Sequence, residues 1–342
     1  MEGKWRMQEI PGVLRDMLEK GRPEYEALIR QTRWSEGPIY LVGCGAARRI
    51  CAAGVCAFEE LLGWPVVVRA AEELTLYSLS ALRPRAVLLI VSASGDAPEA
   101  LELARQARSR GAVLLSLTRD PASPLGAASD GVFPLRTEAD DASACAAVGQ
   151  HAALTYIALL AARILKRPNE QVQQAAAEFA RLPEQIEWAF TQLSDALHSL
   201  AESMSTQTRL DVVGGGFYHA PAVRGAWRLE SSLGLQTIAR APWDLAEPEA
   251  FRRGKAFLML SSSRSKARKA IHQVSAQARL QGCQTFAITD HQDRELAERS
   301  ALTVFVPTTV ELVGATLTLS LLEWVAAQAS RRAKGRTNRP PP

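Results

Sequence analysis

Gly43-Cys-Gly-Ala-Ala-Arg-Arg-Ile-Cys-Ala-Ala-Gly54 is written a second time, in altered residues, as Gly214-Gly-Gly-Phe-Tyr-His-Ala-Pro-Ala-Val-Arg-Gly225. The offset between the two is 171 from the first glycine to the last. It holds without a gap through Glu59/Glu230, Leu62/Leu233, Gly63/Gly234, Ala70/Ala241 and Leu74/Leu245. A slip of two residues then sets Val91-Ser-Ala-Ser94 against Leu260-Ser-Ser-Ser263, and Thr118 returns to the first register opposite Thr289. A repeat of this length is two copies of one domain rather than a solenoid of short units. Function is to be sought where the copies differ.

Within each copy, short apolar runs stopped by glycine or polar residues alternate with stretches of helical spacing. The first copy predicts strands at Pro38–Val42, Pro65–Arg69, Ala86–Val91, Ala112–Leu117 and Gly131–Leu135. Helices are predicted over Arg48–Gly63 and Ala97–Gly111, the latter with Pro98 near its start and Gly111 just past its end. The second copy predicts strands at Leu210–Val213, Gln236–Ala239, Ala256–Leu260, Gln284–Ile288 and Thr303–Val306. Strand–helix alternation of this kind gives an α/β fold: two tandem domains, each a five-stranded parallel sheet flanked by helices on both faces. The boundaries read 1–35 for an N-terminal helical segment, 36–168 for the first domain, 169–205 for one or two connecting helices, 206–330 for the second domain, and 331–342 for a basic Pro-rich tail.

The chain has 342 residues, 47% hydrophobic and 22% charged, with a net charge of +4. That suffices for two cores of ordinary size. Part of the positive excess sits in Arg331-Arg332-Ala-Lys334-Gly-Arg336, so the balance does not point to nucleic acid. The longest apolar runs, Ala152–Leu165 and Leu312–Ala327, are short for a membrane span or carry Glu323. Glu2, Lys4, Arg6 and Glu9 interrupt any signal-peptide pattern. Five cysteines (Cys44, Cys51, Cys56, Cys145 and Cys283) include no CxxC pair. They read as free thiols in a reducing cytoplasm, with no metal or redox cofactor.

Ligands of open parallel sheets bind beyond the carboxyl ends of the strands. Four loops fall there: Gly43–Arg48, Ser92–Ala97, Gly214–His219 and Ser261–Ser265. In Ser92-Ala93-Ser94-Gly95-Asp96, two hydroxyls, a glycine and the amides opening a helix suit an anion, most simply a phosphate. The same residues also suit a helix cap by Ser94 or Asp96. Ser263 and Arg264 hold the corresponding place in the second copy, where Arg264 either adds charge to an anion site or lies exposed at a helix start. Gly214-Gly-Gly216 is no dinucleotide fingerprint, which requires GxGxxG.

These features together resemble the sugar isomerase (SIS) family, in the double-domain form of the isomerase half of glucosamine-6-phosphate synthase and of stand-alone phosphosugar isomerases and fructosamine-phosphate deglycases. The residues that carry the resemblance are Met7-Gln-Glu-Ile-Pro11, Cys44-Gly45 after a strand, Ser92-Ala-Ser94-Gly95-Asp96 against the family's Ser-x-Ser-Gly-Asp/Glu, and Gly225-Ala226-Trp-Arg228-Leu229. The resemblance implies a phosphorylated sugar, a homodimer, and proton transfer beside a carbonyl by a carboxylate base. It places phosphate on Gly45, Ala47, Arg48, Ser92, Ala93, Ser94, Gly95, Asp96 and Ala97.

The match is uneven. Ala46-Ala47 stand where the family has hydroxyl residues, and Ala97 replaces a Ser or Thr. The family's catalytic glutamate falls on Ser231, with the nearest carboxylate one residue early at Glu230, a rotation of about 100° on a helix. Its ring-opening histidine falls on Ala246. Replacement chemistry is available from His219, Glu230, Asp244 and Glu247. The acidic loop Asp244–Glu249 also suits an amine-bearing sugar. Two functions follow, the first favoured because the family is best known in that role and the second its alternative. One is an aldose–ketose isomerase or deglycase acting on an (amino)sugar phosphate with non-standard catalytic residues. The other is a non-catalytic phosphosugar-binding sensor or regulator.

Overall fold

The computed structural model describes residues 7–34, 38–137, 143–166, 169–252 and 254–337. It divides into two compact units, Met1–Pro183 and Glu184–Pro342.

In the first unit the strands are β1 (Ile39–Gly43), β2 (Val66–Ala70), β3 (Val87–Val91), β4 (Val113–Thr118) and β5 (Gly131–Pro134). They pair in the order β2-β1-β3-β4-β5, all parallel. In the second, β6 (Arg209–Gly214), β7 (Gln236–Arg240), β8 (Ala256–Leu260), β9 (Gln284–Asp290) and β10 (Leu302–Val306) pair in the order β7-β6-β8-β9-β10, again parallel. The two sheets therefore have one topology. β1, β3 and β8 are buried along their whole length and β6 from Leu210 onward, as expected of central strands covered on both faces.

The repeat extends to backbone geometry. Gly45 and Gly216 have φ of +51° and +58°, and Gly63 and Gly234 close their helices at +68° and +70°. That left-handed region is open to glycine without steric cost. The Ala47 amide donates to the Cys44 carbonyl at 3.0 Å, and the Tyr218 amide to the Gly215 carbonyl at 3.1 Å. Ser92 donates to Leu117 at 3.1 Å, and Ser261 to Ile288 at 3.2 Å. Positions 92–94 and 117–119 thus correspond structurally to 261–263 and 288–290.

Some elements differ from the sequence expectation. The N-terminal helices are built into the first unit: Ile10, Leu14, Met17 and Ile29 are buried, and the Tyr25 hydroxyl donates to the Pro134 carbonyl at 3.0 Å. The segment 169–205 forms three helices, Glu170–Ala180, Leu182–Gln192 and Ser194–Ser205, rather than one or two. Pro183, lacking an amide hydrogen, suits the first turn of the second of these and cannot continue the one before it. The last helix, Glu311–Thr337, runs through much of the basic segment expected as a tail, and the residues beyond Thr337 lie outside the described ones. That helix and Ala144–Leu165 are long and apolar enough to cross a membrane, yet 94% and 100% of their apolar windows are buried inside the fold. They are the core helices of the two units. All five cysteines are free thiols, four of them buried.

Candidate functional site

The carboxyl end of the first sheet is assembled from four strand ends. β1 stops at Gly43, where a Cβ would overlap the backbone of Arg48, so the chain turns sharply into the Arg48–Leu62 helix. Ala47 is fully buried in that turn. Arg48 is exposed, 4.0 Å from the Glu73 carboxylate.

The loop after β3 is held tightly from below. The Ala93 carbonyl accepts from the Arg119 amide at 3.1 Å and the Thr118 hydroxyl at 3.2 Å, and the Gly95 carbonyl accepts from Leu125 at 2.9 Å. The buried Ser92 hydroxyl accepts from the Gly95 amide at 3.2 Å. Gly95 has φ +71°, and a Cβ there would strike Ser123 and come within 2.7 Å of the Thr118 hydroxyl. Only glycine fits this bend.

What the loop leaves open is its amides. Those of Ser94, Asp96 and Ala97 meet no acceptor among the described residues. The Pro98–Ser109 helix begins here with Ala97 as N-cap and no side-chain cap bond. The capping role open to Ser94 or Asp96 in the sequence is thus not taken. Ser94 instead donates its hydroxyl to the exposed Asp96 carboxylate. An uncapped twelve-residue helix, with free amides converging at its positive end, is set up to receive an anion.

Sequence reasoning missed the surroundings of this loop. Arg119 directly follows β4, and with Arg136 and Thr137 beyond β5 it lines an open cavity of about 500 Å³ that Glu9 and Asp16 line as well. Arg136 also pairs with Glu24 at 2.6 Å. Ser143 caps the Ala144–Leu165 helix, its hydroxyl accepting from the Ala146 amide at 2.9 Å. A serine ahead of a long apolar run is an N-terminus signature that was available in the sequence; the two arginines left no signal in one dimension.

The second sheet's carboxyl end is different. His219 opens the His219–Leu233 helix, half-buried, with Nδ1 buried and bonded to no described residue. Glu230 is eleven residues further on, about 16 Å along the axis, and exposed. Asp244 is exposed and accepts from the Ala241 amide at 3.1 Å, holding the turn after β7. Glu247 and Ala246 are exposed. No hydrogen bond among the described residues joins His219, Glu230, Asp244 and Glu247 to one another. Arg224 and Arg228, the arginines nearest Glu230 in sequence, turn instead to Glu323 at 2.6 and 2.8 Å.

Ser263, the counterpart of Ser94, gives both its amide (2.8 Å) and its hydroxyl (3.0 Å) to one oxygen of the fully buried Asp290. Arg264 is exposed. Burial holds the neighbouring Tyr218 hydroxyl well above its ordinary pKa. This phenol therefore stays protonated at neutral pH.

Comparison with known proteins fits this geometry. The chain is 28% identical over 239 residues to the glutamine–fructose-6-phosphate aminotransferase [isomerizing] of Gloeobacter violaceus, covering 66% of this chain and 38% of that protein. The rat enzyme of the same description, number 1, is 23% identical over 295 residues, covering 84% of this chain and 42% of its own. The chain thus spans about two fifths of the length of these relatives. In fold it is similar to the C-terminal domain of glucosamine-fructose-6-phosphate aminotransferase from Francisella tularensis (TM-score 0.82, 18% identity, 95% of both chains). It is also similar to tagatose-6-phosphate ketose/aldose isomerase from Escherichia coli (TM-score 0.76, 18% identity, 96% of this chain and 91% of that one). The family model that matches is the SIS domain, over residues 34–163, the segment that carries the uncapped Ser92–Ala97 loop. The match covers under half of the chain, and over that segment the chain is similar to the SIS domain family.

Proposed function

We propose that this protein is a tandem SIS protein that binds a phosphorylated sugar, with the phosphate on the Ser92–Ala97 loop of the first unit. The observation that carries the reading is the set of three amides (Ser94, Asp96 and Ala97) without acceptors among the described residues, at an uncapped helix start. Three N–H groups and a helix N-terminus complement a phosphate's oxygens and charge. Arg119 supplies further positive charge beside them. The Ser94 hydroxyl leaves Asp96 and donates to a phosphate oxygen. Asp96, being exposed, swings away as the ligand arrives. Gly45, Ala47 and Arg48 form the neighbouring wall without contributing a hydroxyl. The comparisons support the ligand class, since relatives and structural neighbours carry names that specify hexose 6-phosphates.

Binding without turnover is the function this arrangement supports best. Isomerisation needs a base that takes the proton from the carbon beside the carbonyl and returns it to the carbonyl carbon, while a second group moves a proton between the two oxygens. Glu230, Asp244 and Glu247 are exposed, and no hydrogen bond among the described residues joins them to one another. A second reading, isomerisation or deglycation of a sugar phosphate, rests on His219, whose buried Nδ1 is bonded to no described residue.

Thermal shift separates bound from unbound sugars. Fructose 6-phosphate and glucosamine 6-phosphate raise the melting temperature, the unphosphorylated sugars do not, and Ser94→Asp abolishes the effect. No shift with either phosphosugar overturns the proposal. Proton NMR in D2O then decides between the readings: loss of a C1 proton signal of fructose 6-phosphate, or of the C2 proton signal of glucosamine 6-phosphate, shows turnover, and persistence of both shows binding alone.

A further inference from the structure

The second unit carries a loop at the same place, after β8, but with a different course: Arg264 stands where Gly95 has its positive φ, and the Ser265 amide donates to the Ser262 carbonyl at 3.1 Å. One of the differences around it reverses a charge. Position 119 follows β4 in the first unit and is Arg119; the corresponding position ending β9 is Asp290. Arg119 is exposed, whereas Asp290 is fully buried. One oxygen of Asp290 accepts from the amide and hydroxyl of Ser263, at 2.8 and 3.0 Å, and the other from the amide of Gln292 at 2.9 Å. The Ser94 amide, the counterpart of the Ser263 amide, has no such acceptor among the described residues.

We propose that Asp290 is a resident anion: its carboxylate occupies in the second unit the oxyanion position that stays open in the first, so that a latent phosphate site is held shut and the chain binds one phosphate group rather than two. The proposal rests on the reading of the first unit as the phosphate site. A carboxylate supplied by the chain itself needs no association from solution, and its charge repels an incoming phosphate. Reversal of charge at one position, Arg119 against Asp290, thereby assigns the two copies opposite behaviour toward the same ligand.

The test is titration of the full chain with inorganic phosphate, and with fructose 6-phosphate, by isothermal calorimetry. The native chain is expected to bind one equivalent. Asp290→Gly, which removes the carboxylate and leaves the Ser263 amide and hydroxyl open, is expected to bind two, and the second equivalent disappears when Ser263→Pro is added. The reciprocal variant, Arg119→Asp, is at an exposed position and keeps the fold. It is expected to lose at least tenfold in affinity as its carboxylate reaches the Ser94 amide. If Asp290→Gly fails to fold, Arg119→Asp decides alone, unchanged affinity there overturning the proposal. One equivalent in both native and folded Asp290→Gly protein also overturns it. Two equivalents in the native chain overturn it as well. No binding by the native chain is a failure of the first-unit reading instead, and takes this proposal with it.

Discussion

Arg224 and Glu323 meet at 2.6 Å with neither side chain exposed to solvent. Arg228 reaches the other oxygen of the same carboxylate at 2.8 Å, and the two guanidiniums lie 4.7 and 5.7 Å from the Trp227 ring. The pair ties the helix that begins at His219 to the last helix of the chain. Two buried cations on one carboxylate tolerate loss of that carboxylate poorly, because the charges left behind stay out of water.

Glu323→Ala is therefore expected to destabilise the second unit by about 3–5 kcal/mol. Urea denaturation measures this. Replacing all three charges together, as Arg224→Met, Arg228→Met and Glu323→Leu, is expected to restore most of the loss, since the cost lies in unpaired burial rather than in the absence of a bond.

Gly95 tests the architecture of the loop. Gly95→Ala forces a side chain into the left-handed region and onto Ser123 and Thr118. The expected outcome is a loss of about 2 kcal/mol in stability and at least a tenfold loss in phosphosugar affinity. Gly45→Ala, also at positive φ but with open space around its Cβ, is expected to cost only about 1 kcal/mol. Parallel denaturation and binding measurements on the two variants separate strain from clash.

Ser92→Ala removes the acceptor of the Gly95 amide while leaving the loop's course unchanged. A buried donor without a partner costs about 1–3 kcal/mol. Stability is expected to fall by that amount, and phosphosugar affinity to fall several-fold because the loop loses its internal brace.

Acid sensitivity follows from His151 in the core helix of the first unit. Burial lowers its pKa to about 3, against an ordinary value near 6.5. The folded state keeps it neutral while the unfolded chain takes up a proton below pH 6.5. Its contribution to stability is complete above pH 6.5 and is lost as pH falls toward 3, at about 1.4 kcal/mol per pH unit. His151→Gln is expected to flatten this acid limb. An acid limb as steep in the variant as in the native chain would place the loss in other groups.

Much of the fold could be read from residues alone, because its punctuation is physical. Strands here end at Gly43 and Gly214 or just before Ser92 and Ser261, and the chain leaves its helices at Gly63, Gly111, Gly234 and Gly282, four glycines with φ near +70°. Glycine at those turns is both a sequence signal and a steric requirement. Helix extents were less visible. Ala144–Leu165 begins eight residues before the apolar run that announces it, since Ala144–Gly149 are small residues that bury little area each. The candidate site was half legible. The Ser92–Ala97 loop was identifiable because hydroxyls, glycine and helix start are contiguous. The resemblance to a catalytic family led to Glu230, yet a helix end eleven residues from the loop is solvent-facing here. Asp290 left no trace in the sequence, where a carboxylate ending a strand looks like any solvated residue until burial and its three donors are seen.

The central claim is that phosphate sits on the amides of Ser94, Asp96 and Ala97, and amide chemical shifts report on it directly. The measurement is a nitrogen-15 TROSY titration of the 37.1 kDa chain with fructose 6-phosphate. The account predicts saturable shifts of those three amides with Gly95, and none at Ser263. Saturable shifts confined to other residues, or no shift at the Ser92–Ala97 loop at saturating ligand, would contradict it.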